Sequence, residues 1–364
     1  MLDEIKEQPK VLNDLIQKYV IGDAINLNFD ELDDKIKDIK NIYIVASGSS
    51  RNVGIIAAYA FEKYSKIPAS VEFASEFAHK ELNLSENNLV LAISQSGETA
   101  DTFAAIKKAK ENGAVTFALT NNSESKIHKF ADYKMIVGAG EEKSIAATKS
   151  LTAQLMNVYF LSLHFGLLKN AIDMDLWKSL TSELEKLPVN LQKIIDNVDD
   201  IKLATDLIKD SKNLVILGRG VNYGSACEAA LKIKETCYID ANGYPTGEFL
   251  HGYVAVLDET IPVISIIHRA KSSVSRFKLA VGNTETIKIK RNPPMIIFTN
   301  APKEEIEKID ALKDSLILCV PDCHEEFSAF YYIVLFQLIA YKTAVSLGRE
   351  INKPRGLTKA VTQE

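Results

Sequence analysis

"IYIVASGSS" (42–50) returns 172 positions later as "LVILGRGVN" (214–222): in both, a continuous apolar run empties into a turn of small residues. A second pair keeps the same separation. "SEFAHK" (75–80) and "GEFLHG" (247–252) set Glu76, Phe77 and His79 against Glu248, Phe249 and His251. Two separate segments repeating at one separation indicate an internal duplication, so the chain reads as two similar domains in tandem.

The remaining pattern says what kind of domain. Short apolar runs recur at "LVLAI" (89–93), "VTFAL" (115–119) and "YKMIV" (133–137), then at "VISII" (263–267), "MIIF" (295–298) and "LILCV" (316–320). Between them lie stretches of helical spacing, such as Phe103, Ile106 and Ala109 in "DTFAAIKKAKENG" (101–113), which Gly113 closes. Apolar runs without polar alternation belong to parallel strands buried on both faces, which predicts three-layer αβα domains. The charged, helical "WKSLTSELEKLPVNLQKIIDNVDD" (177–200) reads as a connector. The expected organisation is a first domain with N-terminal helices over 1–185, a connector and second domain over 186–340, and a C-terminal tail over 341–364.

Length and composition narrow the function. At 364 residues, 46% apolar and 25% charged, the chain can bury two cores of ordinary size. A net charge of −5 and the lack of any basic, aromatic-interleaved run argue against a nucleic-acid partner. The run "FYYIVLFQLIAY" (330–341) contains Gln337 and is shorter than the roughly 20 residues of a membrane span. "MLDEIKEQPK" (1–10) is charged from Asp3 and lacks a signal-peptide core, so the expectation is a cytoplasmic protein with no membrane partner. Cys319 and Cys323 form "CVPDC", but a metal site needs four ligands and only His324 stands nearby, so no metal is expected. All four cysteines, Cys227 and Cys237 included, read as reduced core residues.

Three stretches carry chemistry. "SQSGETADT" (94–102) follows an apolar strand directly, and six of its nine side chains bear a hydroxyl or a carboxylate. Its counterpart in the second copy, around Ile266 in "IIHRAK" (266–271), has no such turn, which favours a ligand site over a mere connector. Without Lys or Arg, the turn offers hydroxyls and helix-start amides, a cradle suited to phosphate. "SGSSRN" (47–52) brings Gly48, Ser49 and Ser50 to the end of another strand; helix capping is the plain alternative for both loops. In "ALKIKETCYIDANGYPTGEFLHG" (230–252), Lys232 and Glu235 share one helix face, either as a surface ion pair or as functional groups. His251 there is either structural or functional. The tail "INKPRGLTKAVTQE" (351–364) holds Pro354, Leu357 and Val361, too apolar for a frayed end, so it is expected to dock and carry Lys359 against the protein.

With "EIKEQP" (4–9), "ASEF" (74–77), "AATKSLTAQL" (146–155), "LKIKE" (231–235) and "PRGLTKAVTQE" (354–364), the chain resembles the sugar isomerase (SIS) domain family over nearly its whole length. Within it, the isomerase part of the glucosamine-6-phosphate synthases is most similar. The resemblance implies two tandem flavodoxin-like domains and no cofactor. It implies a phosphate cradle of Gly48, Ser49, Ser50, Ser94, Gln95, Ser96 and Thr99, with sugar contacts at Ile145, Ala146 and Ala360. Glu235 would shuttle a proton between C1 and C2 of the open-chain sugar, and Lys232 would assist at the enolamine oxygen. His251, linked to ring opening, would reach across a homodimer interface. Lys359 would form an imine with the ketose carbonyl or steady the developing oxygen charge.

Departures bear on the substrate. The chain opens where the synthases' isomerase part opens and its first cysteine is Cys227, so a glutamine-independent enzyme is expected. Ammonia would then come from solution or a separate glutaminase, or the reaction would release an amine. Ala147 stands where the synthases have Ser, and Leu250 and Tyr253 replace Lys and Pro beside His251. Three functions follow: an amino-sugar 6-phosphate isomerase or deaminase, a fructosamine-6-phosphate deglycase, and a non-catalytic sugar-phosphate sensor. The sensor needs the cradle but not Glu235, His251 and Lys359, and all three are present.

Overall fold

The computed structural model describes every residue except Asp23, Asp30, Val198, 271–273 and 363–364. The chain divides into two compact units, one of Glu7–Pro188 with Thr358–Glu364 and one of Met1–Lys6 with Val189–Leu357.

The first holds β1 (Asn41–Ala46), β2 (Ala69–Phe73), β3 (Asn88–Ser94), β4 (Val115–Thr120) and β5 (Tyr133–Ile136). All neighbours are parallel, in the order β2-β1-β3-β4-β5. The second holds β6 (Asn213–Gly218), β7 (Asp240–Pro245), β8 (Val263–Ile267), β9 (Met295–Thr299) and β10 (Leu316–Cys319). Its order, β7-β6-β8-β9-β10, is the same topology again, also fully parallel. The duplication is therefore of a whole flavodoxin-like sheet. All eight strands expected from the apolar runs are present.

Two strands of the five-stranded sheets escaped the sequence pattern, β2 and β7, and each is the edge strand beside the first strand of its sheet. An edge strand has one neighbour and less to bury. "ASVEF" is half-exposed along its length, and "DANGYP" contains Gly243 and Pro245, residues that weaken any strand signal. The repeat did hold the clue, because Ala69–Phe77 and Ala241–Phe249 are separated by the same interval as the other pairs.

Helices cover both faces of each sheet. In the first unit, α1 (Gly48–Ala60) packs so closely that a Cβ on Gly54 would meet Ile44 at 3.1 Å and Val71 at 3.2 Å. Val45, Val90, Ala92 and Ala118 face the other way, onto Ala105, Ile106 and Ala109 of α2 (Ala100–Glu111). In the second unit the close approach is solved in reverse. Ala226 of α3 (Val221–Cys237) lies where α1 has glycine, and the strand supplies Gly243, whose Cβ would meet the Ala226 backbone at 2.7 Å. On the opposite face, Val215, Leu217, Val263 and Ile267 pack with Ala280 and Ile287 of the helix Val274–Arg291.

The run 330–341, too short for a span when read alone, lies inside the 19-residue helix Ser328–Ser346. That helix and Lys149–Leu168 are long and apolar enough to cross a membrane, yet 83% and 89% of their apolar windows are buried in the protein, as in core helices. The connector is not a solvated linker either: Trp177, Leu180, Leu184 and Leu191 are all buried.

Candidate active site

The strand order of the first unit reverses between β1 and β3, and in such sheets ligands bind beyond the carboxyl ends of the strands at that point. Both hydroxyl-rich loops stand there. β1 ends at Ala46 and runs into Ser47, Gly48, Ser49 and Ser50; β3 ends on Ser94 and runs into Gln95, Ser96 and Thr99. Gly48 takes φ +54°, a left-handed turn that starts α1 at once.

The capping alternative is not what the geometry shows. Ser47 and Thr99 occupy the N-cap positions of α1 and α2, but neither side chain caps its helix. Thr99 instead hydrogen-bonds Ser94, Oγ1 to Oγ, at 3.2 Å, and the Ser94 hydroxyl accepts the Gly97 N–H at 3.0 Å. The Ser96 hydroxyl accepts the Glu98 N–H at 3.1 Å, so the loop is braced partly by its own serines. Gly97 is required twice over. Its φ is +68°, and a Cβ there would lie 2.0 Å from Ser125 Oγ.

The tail docks on this unit through polar contacts, and of the apolar residues the sequence pointed to only Pro354 is buried. Leu357 and Val361 are exposed. Lys359 Nζ donates to Glu142 Oε2 at 2.7 Å and to the Ser144 carbonyl, while the Ala100 N–H at the first turn of α2 donates to the Val361 carbonyl at 3.0 Å. Burial pushes the Glu142 carboxyl up, but the Lys359 ammonium and the N–H groups of Ser150 and Thr148 outweigh it and hold the carboxyl below its ordinary range. Of the expected sugar contacts, Ile145 and Ala360 are half-buried and Ala146 is buried.

The second cluster lies on α3 in the other unit. Lys232 is no surface residue: its side chain is 1% exposed, with Nζ 2.5 Å from Glu235 Oε2 and 3.4 Å from Glu228 Oε1. Glu228 is equally buried, while Glu235 keeps 19% of its side chain open. Spacings of four and three residues line all three on one helix face, a lysine clamped between two carboxylates. His251 is exposed. It follows the short turn Glu248–Leu250, and the rings of Tyr244, Phe249 and Tyr253 pack together beneath that loop.

A model of the SIS domain matches residues 35–163 and again 207–347, one match on each sheet. The chain belongs to the SIS domain family. Its full length aligns at 34% identity with glutamine–fructose-6-phosphate aminotransferase (isomerizing) of Aquifex aeolicus, and at 33% with that of Methanosarcina acetivorans. It spans 58% of the length of each. The C-terminal domain of glucosamine-fructose-6-phosphate aminotransferase from Francisella tularensis superposes with a TM-score of 0.91 at 30% identity, covering 97% of both chains. Both SIS domains thus have the fold expected of the isomerase part of these enzymes.

Two site residues went unread in the sequence. Glu228 could have been found from its i, i+4 spacing to Lys232. Glu142 had no local signal, because its partner Lys359 lies 217 positions away. The cysteines also need correcting: only Cys237 is buried, Cys227 and Cys323 are half-buried, and Cys319 is exposed. "CVPDC" places Cys319 at the end of β10, where a strand leaving the sheet exposes its last side chain. Among the described residues, no group of three or more His, Cys, Asp or Glu is arranged to hold a metal ion.

Proposed function

We propose that this protein is a cytoplasmic sugar-phosphate isomerase that interconverts glucosamine-6-phosphate with fructose-6-phosphate and ammonia. The observation that carries the reading is the pair of hydroxyl-rich loops on β1 and β3 at the strand-order reversal, with their serines and threonine not used as helix caps. The amino sugar follows the relatives, which are glutamine–fructose-6-phosphate and glucosamine-fructose-6-phosphate aminotransferases.

In the deaminating direction, Gly48, Ser49, Ser50, Ser94, Gln95, Ser96 and Thr99 hold the phosphate, far from the bonds that change, and its binding energy orients the reacting carbons. Glu235 removes the C2 proton of the open-chain sugar and returns it to C1, while an amine proton passes to the C1 oxygen. The resulting C2 imine is hydrolysed to fructose-6-phosphate and ammonia. Proton abstraction beside a carbonyl needs a nearby cation for the developing oxygen charge, the part assigned to Lys359 and Lys232. Ile145, Ala146 and Ala360 contact the sugar. His251 assists ring opening from a second copy of the chain, a role supported by its exposure beside exposed Tyr253 and Val256.

The test is a panel assay. Glucosamine-6-phosphate is expected to yield fructose-6-phosphate and ammonia in equal amounts, and the reverse reaction to proceed with free ammonia but not with glutamine. Turnover of fructosamine-6-phosphates alone would make the protein a deglycase, and phosphate-anchored binding without turnover would make it a sensor. Mixing His251→Asn with Glu235→Gln protein is expected to restore part of the activity that each variant lacks alone; two inactive variants that stay inactive when mixed would refute the shared homodimer.

A further inference from the structure

We infer that Glu142 is a positioning residue, a preformed socket that seats the C-terminal tail and so fixes Lys359; the inference rests on the reading of Lys359 given above. Glu142 lies between β5 and the 20-residue helix Lys149–Leu168. Its side chain is wholly buried. Oε1 accepts from the Thr148 N–H at 2.9 Å, the Thr148 hydroxyl at 3.3 Å and the Ser150 N–H at 3.0 Å. Oε2 accepts from the Ser150 hydroxyl at 2.7 Å and from Lys359 at 2.7 Å.

Four of these five donors belong to the helix start that follows Glu142, so the carboxylate is oriented whether or not the tail is in place. The amides at that helix start also favour its negative charge. Lys359 is the one donor from outside, and the one full positive charge among the five. A buried carboxylate that is hydrogen-bonded but lacks a cation is a strong attractor for one. Two residues beyond Lys359, the Val361 carbonyl takes the Ala100 N–H, which directly follows the cradle residue Thr99. The tail is thus pinned at two points of the cradle unit, beside the loop that holds Ile145 and at the start of α2. Since Leu357 and Val361 are exposed, the contacts of Lys359 with Glu142 and with the Ser144 carbonyl, together with this backbone bond, hold the tail on the cradle unit.

The experiment uses the full chain. Glu142→Gln keeps the size and an acceptor oxygen but removes the charge, and loss of a charge-assisted hydrogen bond corresponds to about a 10- to 100-fold change. Carboxypeptidase trimming past Val361 is expected to speed by that factor. The kcat is expected to fall similarly, while the affinity for inorganic phosphate stays within about two-fold of the parent, since the hydrogen bonds of the Glu142 carboxylate go to Thr148, Ser150 and Lys359 and to no cradle side chain. Glu142→Asp is expected to recover part of both losses. A tail as protected in Glu142→Gln as in the parent would overturn the inference. If Glu142→Gln weakens phosphate binding or lowers the melting temperature, Lys359→Gln decides instead: it leaves the socket intact and is expected to release the tail equally, and a tail that stays protected overturns the inference. Trimming needs no substrate, so a parent without turnover would defeat the proposed reaction and leave this test standing.

Discussion

Replacing Lys232 with Met should destabilise the protein far more than loss of a surface charge would. The substitution keeps the volume of a side chain that is 1% exposed but removes the cation between Glu228 and Glu235. At an effective dielectric near 20, a charge pair about 4 Å apart is worth about 4 kcal/mol, and breaking a buried pair by removing one partner costs roughly 3–5 kcal/mol. Glu235 is partly open to water and recovers some solvation, so most of the cost falls on Glu228. With denaturant slopes of about 1–3 kcal/mol per M, the urea transition should move down by roughly 1–5 M. Far-UV circular dichroism at pH 7.5 reads it, since the only tryptophan, Trp177, lies in the other unit. Adding Glu228→Gln to Lys232→Met should restore much of the loss, because the buried side chain that lost the lysine's charge is then neutral. A Lys232→Met protein as stable as the parent, or a double variant worse than the single, would refute the reasoning.

Other consequences follow from single sites. Gly97→Ala forces a side chain into φ +68° and against Ser125 Oγ, so phosphate affinity should fall at least about ten-fold by titration calorimetry, the strain being of order 1–3 kcal/mol. Burial pushes the Cys237 thiol up to about 11, so at pH 8 an aromatic disulfide reagent should label exposed Cys319 promptly and Cys237 only on unfolding. The Glu142 carboxyl is held below its ordinary value of 4.5, so its pairing with Lys359 is fully present at neutral pH and is lost only as pH falls through the lowered value. Trimming of the tail by an acid-active carboxypeptidase should therefore stay slow at pH 5 and accelerate only below about 4.5.

How much of this could be read from the sequence depended on the range of each interaction. Central strands such as β3 and β8 announce themselves because both faces are buried and every residue must be apolar. Edge strands β2 and β7 do not, and only the internal repeat exposes them. The cradle serines were legible because strand-end loops at a strand-order reversal need small, hydroxyl-bearing residues. What was illegible is the state of the charged groups. "LKIKE" does not reveal whether Lys232 is buried, and no window around Glu142 contains Lys359. The tail shows the same limit: docking was foreseen from Pro354, Leu357 and Val361, but only Pro354 is buried, and the contacts of Lys359 with one backbone bond hold the end on the cradle unit.

The central claim is that Glu235 moves a proton between C1 and C2 of a 6-phosphorylated sugar. Incubating the protein with glucosamine-6-phosphate or fructose-6-phosphate in deuterium oxide and following C1 and C2 by NMR tests it directly. The account predicts deuterium at those carbons with the parent, and none above background with Glu235→Gln, which should still bind inorganic phosphate normally. Deuterium incorporation that persists in Glu235→Gln, or a parent that binds the sugar phosphate and neither exchanges nor isomerises it, would contradict it.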